Sequence, residues 1–137
     1  MEEFEPSFAN GGKGMSDVVY PDMIEDLPDI DLDLEGVRGK LLQADAKQVV
    51  FFDIEPVGAI PPHAHSAQWG VVLEGEMELT VNGRTTTYRK GDAYFIPAGQ
   101  EHAANFKTRF KAIDFFDEPT RYRPRACERP RASHQPL

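Results

Sequence analysis

The feature that most constrains this chain is the rhythm of residues 48–116, where short β-branched and aromatic runs are each closed by a turn signal. Gln48-Val49-Val50-Phe51-Phe52-Asp53-Ile54 reads as a strand, and Val71-Val72-Leu73 as another that ends at Glu74-Gly75. Met77, Leu79 and Val81 alternate with Glu78 and Thr80, giving one apolar and one polar face. Asn82-Gly83 follows, the preferred pair for a two-residue hairpin because both residues can take positive φ. Residues 85–88 form the return strand, and Lys90-Gly91-Asp92 is a turn. Residues 93–96 form a strand stopped by Pro97-Ala98-Gly99, and residues 102–106 and 110–116 complete the series. Many short strands at regular spacing, with no long amphipathic helix between them, predict an all-β sandwich or barrel.

The flanks read differently. Residues 1–16 are rich in Gly, Asn, Ser and Glu without periodicity and are expected to be disordered. Met15 is a second possible start, which would make residues 1–14 an upstream extension. Residues 17–47 form an acidic arm in which Pro21 and Pro28 argue against a long helix. Within it Asp29-Ile30-Asp31-Leu32-Asp33-Leu34 alternates acid and apolar residues, as a half-exposed strand does, and Leu41-Leu42 suggests a second. Such a strand is a natural edge for pairing across a dimer. The expected division is a disordered segment over 1–16, an extended arm over 17–47, a barrel core over 48–118 and a basic flexible tail over 119–137.

Charge narrows the partners. The formal net charge is −8, with −10 over residues 1–55 (14 acids, 4 bases), −2 over 56–120 (8 and 6) and +4 over 121–137 (1 and 5). An acidic body repels nucleic acid and anionic membranes, and residues 1–47 carry no helix-turn-helix pattern. The tail arginines read as a solvated terminus, with a small anion-binding arm as the alternative. No apolar run approaches a membrane span, and the acidic start lacks the order of a signal peptide, so a cytoplasmic protein is expected. The single cysteine, Cys127, cannot form an internal disulfide.

Three of the four histidines fall in the most structured half, as His63-Ala64-His65 and His102. On a strand, residues two apart share a face, and paired imidazoles bind metal ions at about 2.0–2.1 Å. Pro61-Pro62 fixes the backbone before the pair, and His102 opens a strand just after a tight turn.

These segments carry a resemblance. Gly58 through His63, His65 and Gln68, followed by six residues and Gly75, resembles the first motif of the cupin superfamily, and Gly91 through Pro97 to His102 resembles the second. The resemblance spans about residues 48–116. It implies a jelly-roll β-barrel (a double-stranded β-helix) in which His63, His65 and His102 hold one divalent metal ion, with Gln68 as a fourth ligand or an orienting group. The identity of the metal is left open among Zn, Ni, Fe, Mn and Co. Homodimers are usual in similar proteins, so a homodimer is expected.

Two departures from the family pattern matter. Gln68 stands where Glu is usual, and the gap after the second histidine is shorter. Strict alternation from His65 would turn Ala67 inward and Gln68 outward, so a bulge or turn at Ser66-Ala67 is required to bring Gln68 inside. Asn105 lies three residues after His102, where the family usually has Asn at four. Three imidazoles and an amide leave a divalent site more positive than a glutamate would. That favours anionic substrates and Lewis-acid chemistry of isomerase, lyase or cyclase type over oxygenation. The expected function is thus binding and turnover of a small anionic molecule inside the barrel, with a non-catalytic small-molecule or sugar-binding module as the alternative. The sequence names no general base, though Glu101 beside His102 is one candidate. Trp69, Tyr94, Phe95 and Phe106 read as core or interface residues, with pocket lining as the alternative.

Overall fold

The structure is a computed structural model that describes residues 18–126. The expectations for residues 1–16, for Cys127 and for the rest of the basic tail lie outside the described residues. Among those described, one short helix, α1 (Asp22–Glu25), precedes nine strands. They are β1 (Val37–Gln43), β2 (Gln48–Ile54), β3 (Gly58–His63), β4 (Gln68–Glu74), β5 (Glu76–Val81), β6 (Arg84–Arg89), β7 (Ala93–Ile96), β8 (His102–Phe106) and β9 (Phe110–Phe116). One sheet runs β1-β2-β9-β4-β7 and the other β3-β8-β5-β6, with every pairing antiparallel. This is the expected mostly-β jelly roll.

Alternation sets the core. Val50, Phe52 and Ile54 of β2, Phe110, Ala112 and Phe116 of β9, and Met77 and Leu79 of β5 all point between the sheets, where they form one buried cluster. The predicted hairpin is present: Asn82 and Gly83 take φ of 56° and 76°, and Thr80 pairs with Thr85 across the turn. Two such positive values are what a two-residue turn matched to the strand twist requires.

The flanks correct the sequence-based boundaries. β1 belongs to the main sheet, in register with all of β2, so the barrel begins near residue 37 rather than 48. The Asp29–Leu34 segment is not a strand; only Asp29 and Ile30 form isolated bridges, to Lys40 and Pro124 of the same chain. Ile30 is buried against Gly39, whose missing side chain makes the room. At these two positions the arm pairs within its own chain. Residues 119–126 are packed rather than free: Asp31 donates to the Arg123 carbonyl, Arg125 to the Asp29 carbonyl, and the Arg125 guanidinium to the Leu32 carbonyl. Ahead of the barrel, Tyr20 crosses the sheet and donates its hydroxyl to the Phe52 carbonyl, with Lys111 bonded to the Val18 carbonyl beside it. Among the described residues no helix is long and apolar enough to cross a membrane.

Candidate metal centre and cavity

His63 closes β3, His102 opens β8, and the two are cross-strand partners. His65 lies beyond the end of β3, so strand alternation is not what aligns it with His63. The β3 register shifts between Ile60 and His63, where Pro61 and Pro62 interrupt the ladder, and the chain then leaves the sheet. The three rings nevertheless converge, with centroids 4.3, 4.8 and 5.3 Å apart.

The hydrogen bonds fix how the rings can act. His63 Nδ1 faces the Pro61 carbonyl at 3.0 Å, His65 Nδ1 the Ser66 carbonyl at 2.8 Å, and His102 Nδ1 the Gln100 carbonyl at 2.9 Å. A carbonyl only accepts, so each Nδ1 carries the proton and each Nε2 keeps a free lone pair. Backbone carbonyls are common outer partners for metal-bound imidazoles. One ring nitrogen from each residue lies within 4.8 Å of the others. Donors about 2.1 Å from a shared ion stand at most about 4.2 Å apart, so the rings would have to close by at least about 0.6 Å to share one. The cluster is capable of binding a metal ion. Burial lowers the pKa of His65 to about 4 and lowers that of His102, with the Arg121 charge adding to both. Neutral imidazole is the ligating form.

A bend at Ser66 breaks the alternation, as the motif spacing required, and β4 begins with Gln68 facing inward opposite Phe116 and Ile96. Beside Gln68 on the cavity wall lies Asp114, which the sequence reading passed over. Asp114 sits in the inward phase of β9, between Ala112 and Phe116, and is 2 % exposed. Tyr94 donates its hydroxyl to Asp114 Oδ1 at 2.7 Å. Burial raises the Asp114 carboxyl to about 7, against the opposing pull of the Tyr94 hydrogen bond and the neighbouring Gln68 amide. The sequence signal was available: an acid in phase with Phe110, Ala112 and Phe116 is a buried acid.

Arg121 is the second residue missed, since it was assigned to the flexible tail. It lines the cavity, its guanidinium stands 4.7 Å from the Tyr122 ring, and its buried Nε has no hydrogen-bond partner among the described residues. Gln48 holds it there. Fully buried at the start of β2, Gln48 donates to the Tyr122 carbonyl and accepts from the Tyr122 amide. The cavity, open to solvent on one side, measures about 320 Å³ and is lined by all three histidines, Gln68, Asp114 and Arg121 together with apolar side chains of both sheets.

The remaining candidates separate. Tyr94 and Phe106 line the cavity, whereas Trp69 and Phe95 stand on the outer face of the five-stranded sheet. Asn105 points away from the cavity and donates to Glu78, and Glu101 is an exposed residue between the Ala98–Gly99 turn and β8. Neither joins the site.

The fold and motifs agree with known proteins. A crystal structure of an RmlC-like cupin from Shewanella frigidimarina superposes with a TM-score of 0.61 at 28 % identity, covering 71 % of this chain and 87 % of that one. KdgF from a Halomonas species gives 0.61 at 24 % identity, over 71 % and 90 %. A mutant of Bacillus subtilis oxalate decarboxylase gives 0.59 at 17 %, over 71 % of this chain and 29 % of that one. No curated protein matches the sequence. Residues 50–116 match the family profile described as Cupin domain, and with the two-sheet barrel this makes the chain a small member of the cupin superfamily.

Proposed function

We propose that this cupin is a metal-dependent enzyme acting on a small anionic organic molecule inside the barrel, by Lewis-acid chemistry of isomerase, lyase or cyclase type rather than oxygenation. His63, His65 and His102 hold the ion through Nε2. Gln68 lines the same cavity, and its amide oxygen supplies the fourth donor. A bound divalent ion supplies polarisation of a substrate carbonyl or carboxylate.

The observation that carries the catalytic reading is Asp114. A carboxyl with a pKa near 7 holds both protonation states at neutral pH, the condition for efficient general acid–base work. It lies one cross-strand position from Gln68, on the cavity wall. There it can take a proton from carbon next to a polarised carbonyl and return it, with Tyr94 holding the carboxyl in place. Arg121 offers the unpaired buried N–H that a substrate carboxylate needs.

The test is solvent exchange. Protein loaded separately with Zn, Ni, Mn or Fe is incubated in D2O with 2-oxo acids, and loss of the C3 proton signal is followed by NMR. Exchange in wild type that disappears in Asp114→Asn, with metal content unchanged, supports the reading. Metal-loaded wild type that binds these acids but exchanges no proton overturns it in favour of a binding module.

We infer also that the chain assembles as a homodimer, through the outer face of the five-stranded sheet. Leu42, Val49, Phe115, Trp69 and Phe95 stand side by side across β1, β2, β9, β4 and β7. Phe95 is 60 % exposed, and Leu42, Trp69 and Phe115 are more than 40 % exposed. The row holds no charge in a chain of net −8. A second acidic copy can approach there without like-charge repulsion, and a two-fold axis matches the row with itself.

A further inference from the structure

The cavity wall is divided along its length. Its imidazole, amide, carboxyl and guanidinium groups gather at the end marked by Gln48, Gln68 and Phe116, which are cross-strand neighbours. Asp114 lies one inward position deeper, and Arg121 is tied to the same end through the Tyr122–Gln48 bonds. Tyr94 spends its hydroxyl on Asp114, and the Tyr122 ring packs edge-on against Phe52 and Phe116. At the other end of the same strands the wall is Val37 and Ile54, with Phe106 and Met77 from the facing sheet. Leu32 and Leu34 of the folded-back arm add an apolar lip.

From this division we infer that the ligand is a carboxylic acid with an apolar body, such as a 2-oxo acid bearing an aliphatic or aromatic tail, and that polyhydroxylated acids are excluded. The inference rests on the reading of the polar end as a metal centre for an anion. An acid anchored there must lay its remaining atoms against Ile54, Phe106 and the Leu32–Leu34 lip. Each methylene placed on that wall leaves water for apolar surroundings. Each hydroxyl placed there gives up its water hydrogen bonds and finds no side-chain partner. A cavity of about 320 Å³ is at the small end of ligand sites, so the body is short.

The experiment is calorimetric binding of straight-chain 2-oxo acids from pyruvate to 2-oxooctanoate, with galacturonate as the hydroxylated comparison. It uses metal-loaded and EDTA-treated wild type, and metal content is measured on every sample. Affinity should rise about fourfold per added methylene until the cavity is full, and galacturonate should bind more weakly than 2-oxohexanoate. Leu34→Asp, at an exposed position that tolerates the change, should flatten the rise for the longer acids while keeping its metal. A flat series, galacturonate binding tighter than 2-oxohexanoate, or no binding by any of these acids to metal-loaded protein overturns the inference. Wild type that retains no metal yet shows the chain-length rise would sink the metal-centre reading and leave this one standing. Metal retained with a flat series would do the reverse.

Discussion

Gly70 lies directly opposite Asp114 across the β4–β9 pair, and a Cβ at Gly70 would fall 1.9 Å from Asp114 Oδ1 and 2.5 Å from the Tyr94 ring and hydroxyl. The missing side chain is what admits a buried carboxyl and its phenol partner between the sheets. Gly70→Ala must therefore push both groups aside in a packed interior. Overpacking of this kind costs about 1–3 kcal/mol, and a disturbed Tyr94–Asp114 bond adds to it. Urea unfolding should show a loss of about 3 kcal/mol in wild type and a smaller loss in an Asp114→Ala background, where Tyr94 alone stands in the way. Equal losses in both backgrounds would mean that Gly70 is not there for the carboxyl.

Asp114 also sets a pH dependence. Its folded pKa of about 7 stands above its ordinary 3.8, so between those values the folded chain binds the extra proton. The stability it contributes is present below about pH 4, declines as pH rises, and is gone once pH passes about 7. His65 works the other way: lowered by burial from 6.5 to about 4, it contributes stability above 6.5 that is lost as pH falls toward 4. The two oppose each other in metal-free wild type, so the informative quantity is a difference. The stability of Asp114→Asn minus that of wild type should rise steadily from about pH 4 to 7 and level off above about 8, measured by urea denaturation in EDTA. A difference that stays flat over that range would remove Asp114 as a perturbed acid.

The barrel was legible because alternation and turn chemistry acted locally. The period-two pattern of Met77, Leu79 and Val81 and the Asn82-Gly83 turn need no tertiary information, and both stand as read. The histidines were legible through motif spacing, although the backbone brings them together by the Pro61-Pro62 irregularity and the Ser66 bend rather than by strand geometry. What stayed hidden depended on long-range partners. Arg121 looked like tail because nothing near it in sequence says that Gln48, more than 70 positions away, will clamp its neighbour. β1 was underread because Gly39 and the polar residues around it mask a strand whose apolar face has only Val37 and Leu41. The arm alternates in sequence without forming a strand, because only Asp29 and Ile30 find bridge partners, Lys40 and Pro124 of the same chain.

The histidine cluster makes a direct prediction. Untagged wild type should carry about one divalent ion per chain after reloading, and His63→Ala and His102→Ala should each bind more than about 100-fold more weakly. Because only the folded chain assembles the three donors, a free ion at 100 times Kd should stabilise wild type by about 2.7 kcal/mol and the variants by almost nothing. Elemental analysis and metal-dependent unfolding read the two quantities independently. Stabilisation that persists in both variants would place the ion elsewhere.

The outer apolar row predicts the last outcome. If Leu42, Val49, Phe115, Trp69 and Phe95 meet their symmetry mates, a charge placed among them is desolvated twice, once in each copy. Phe95→Asp alters a side chain that is mostly exposed in the single chain, so the fold should survive while assembly fails. Light scattering coupled to size exclusion should report a dimer for wild type and a monomer for Phe95→Asp. The variant should keep its metal content and far-ultraviolet circular dichroism, because the row faces away from the cavity. A change in Trp69 fluorescence on dilution should accompany dissociation, since the single tryptophan of the chain sits in the row. A wild type that is monomeric at all concentrations would leave the row without a second copy to cover it and would overturn the homodimer.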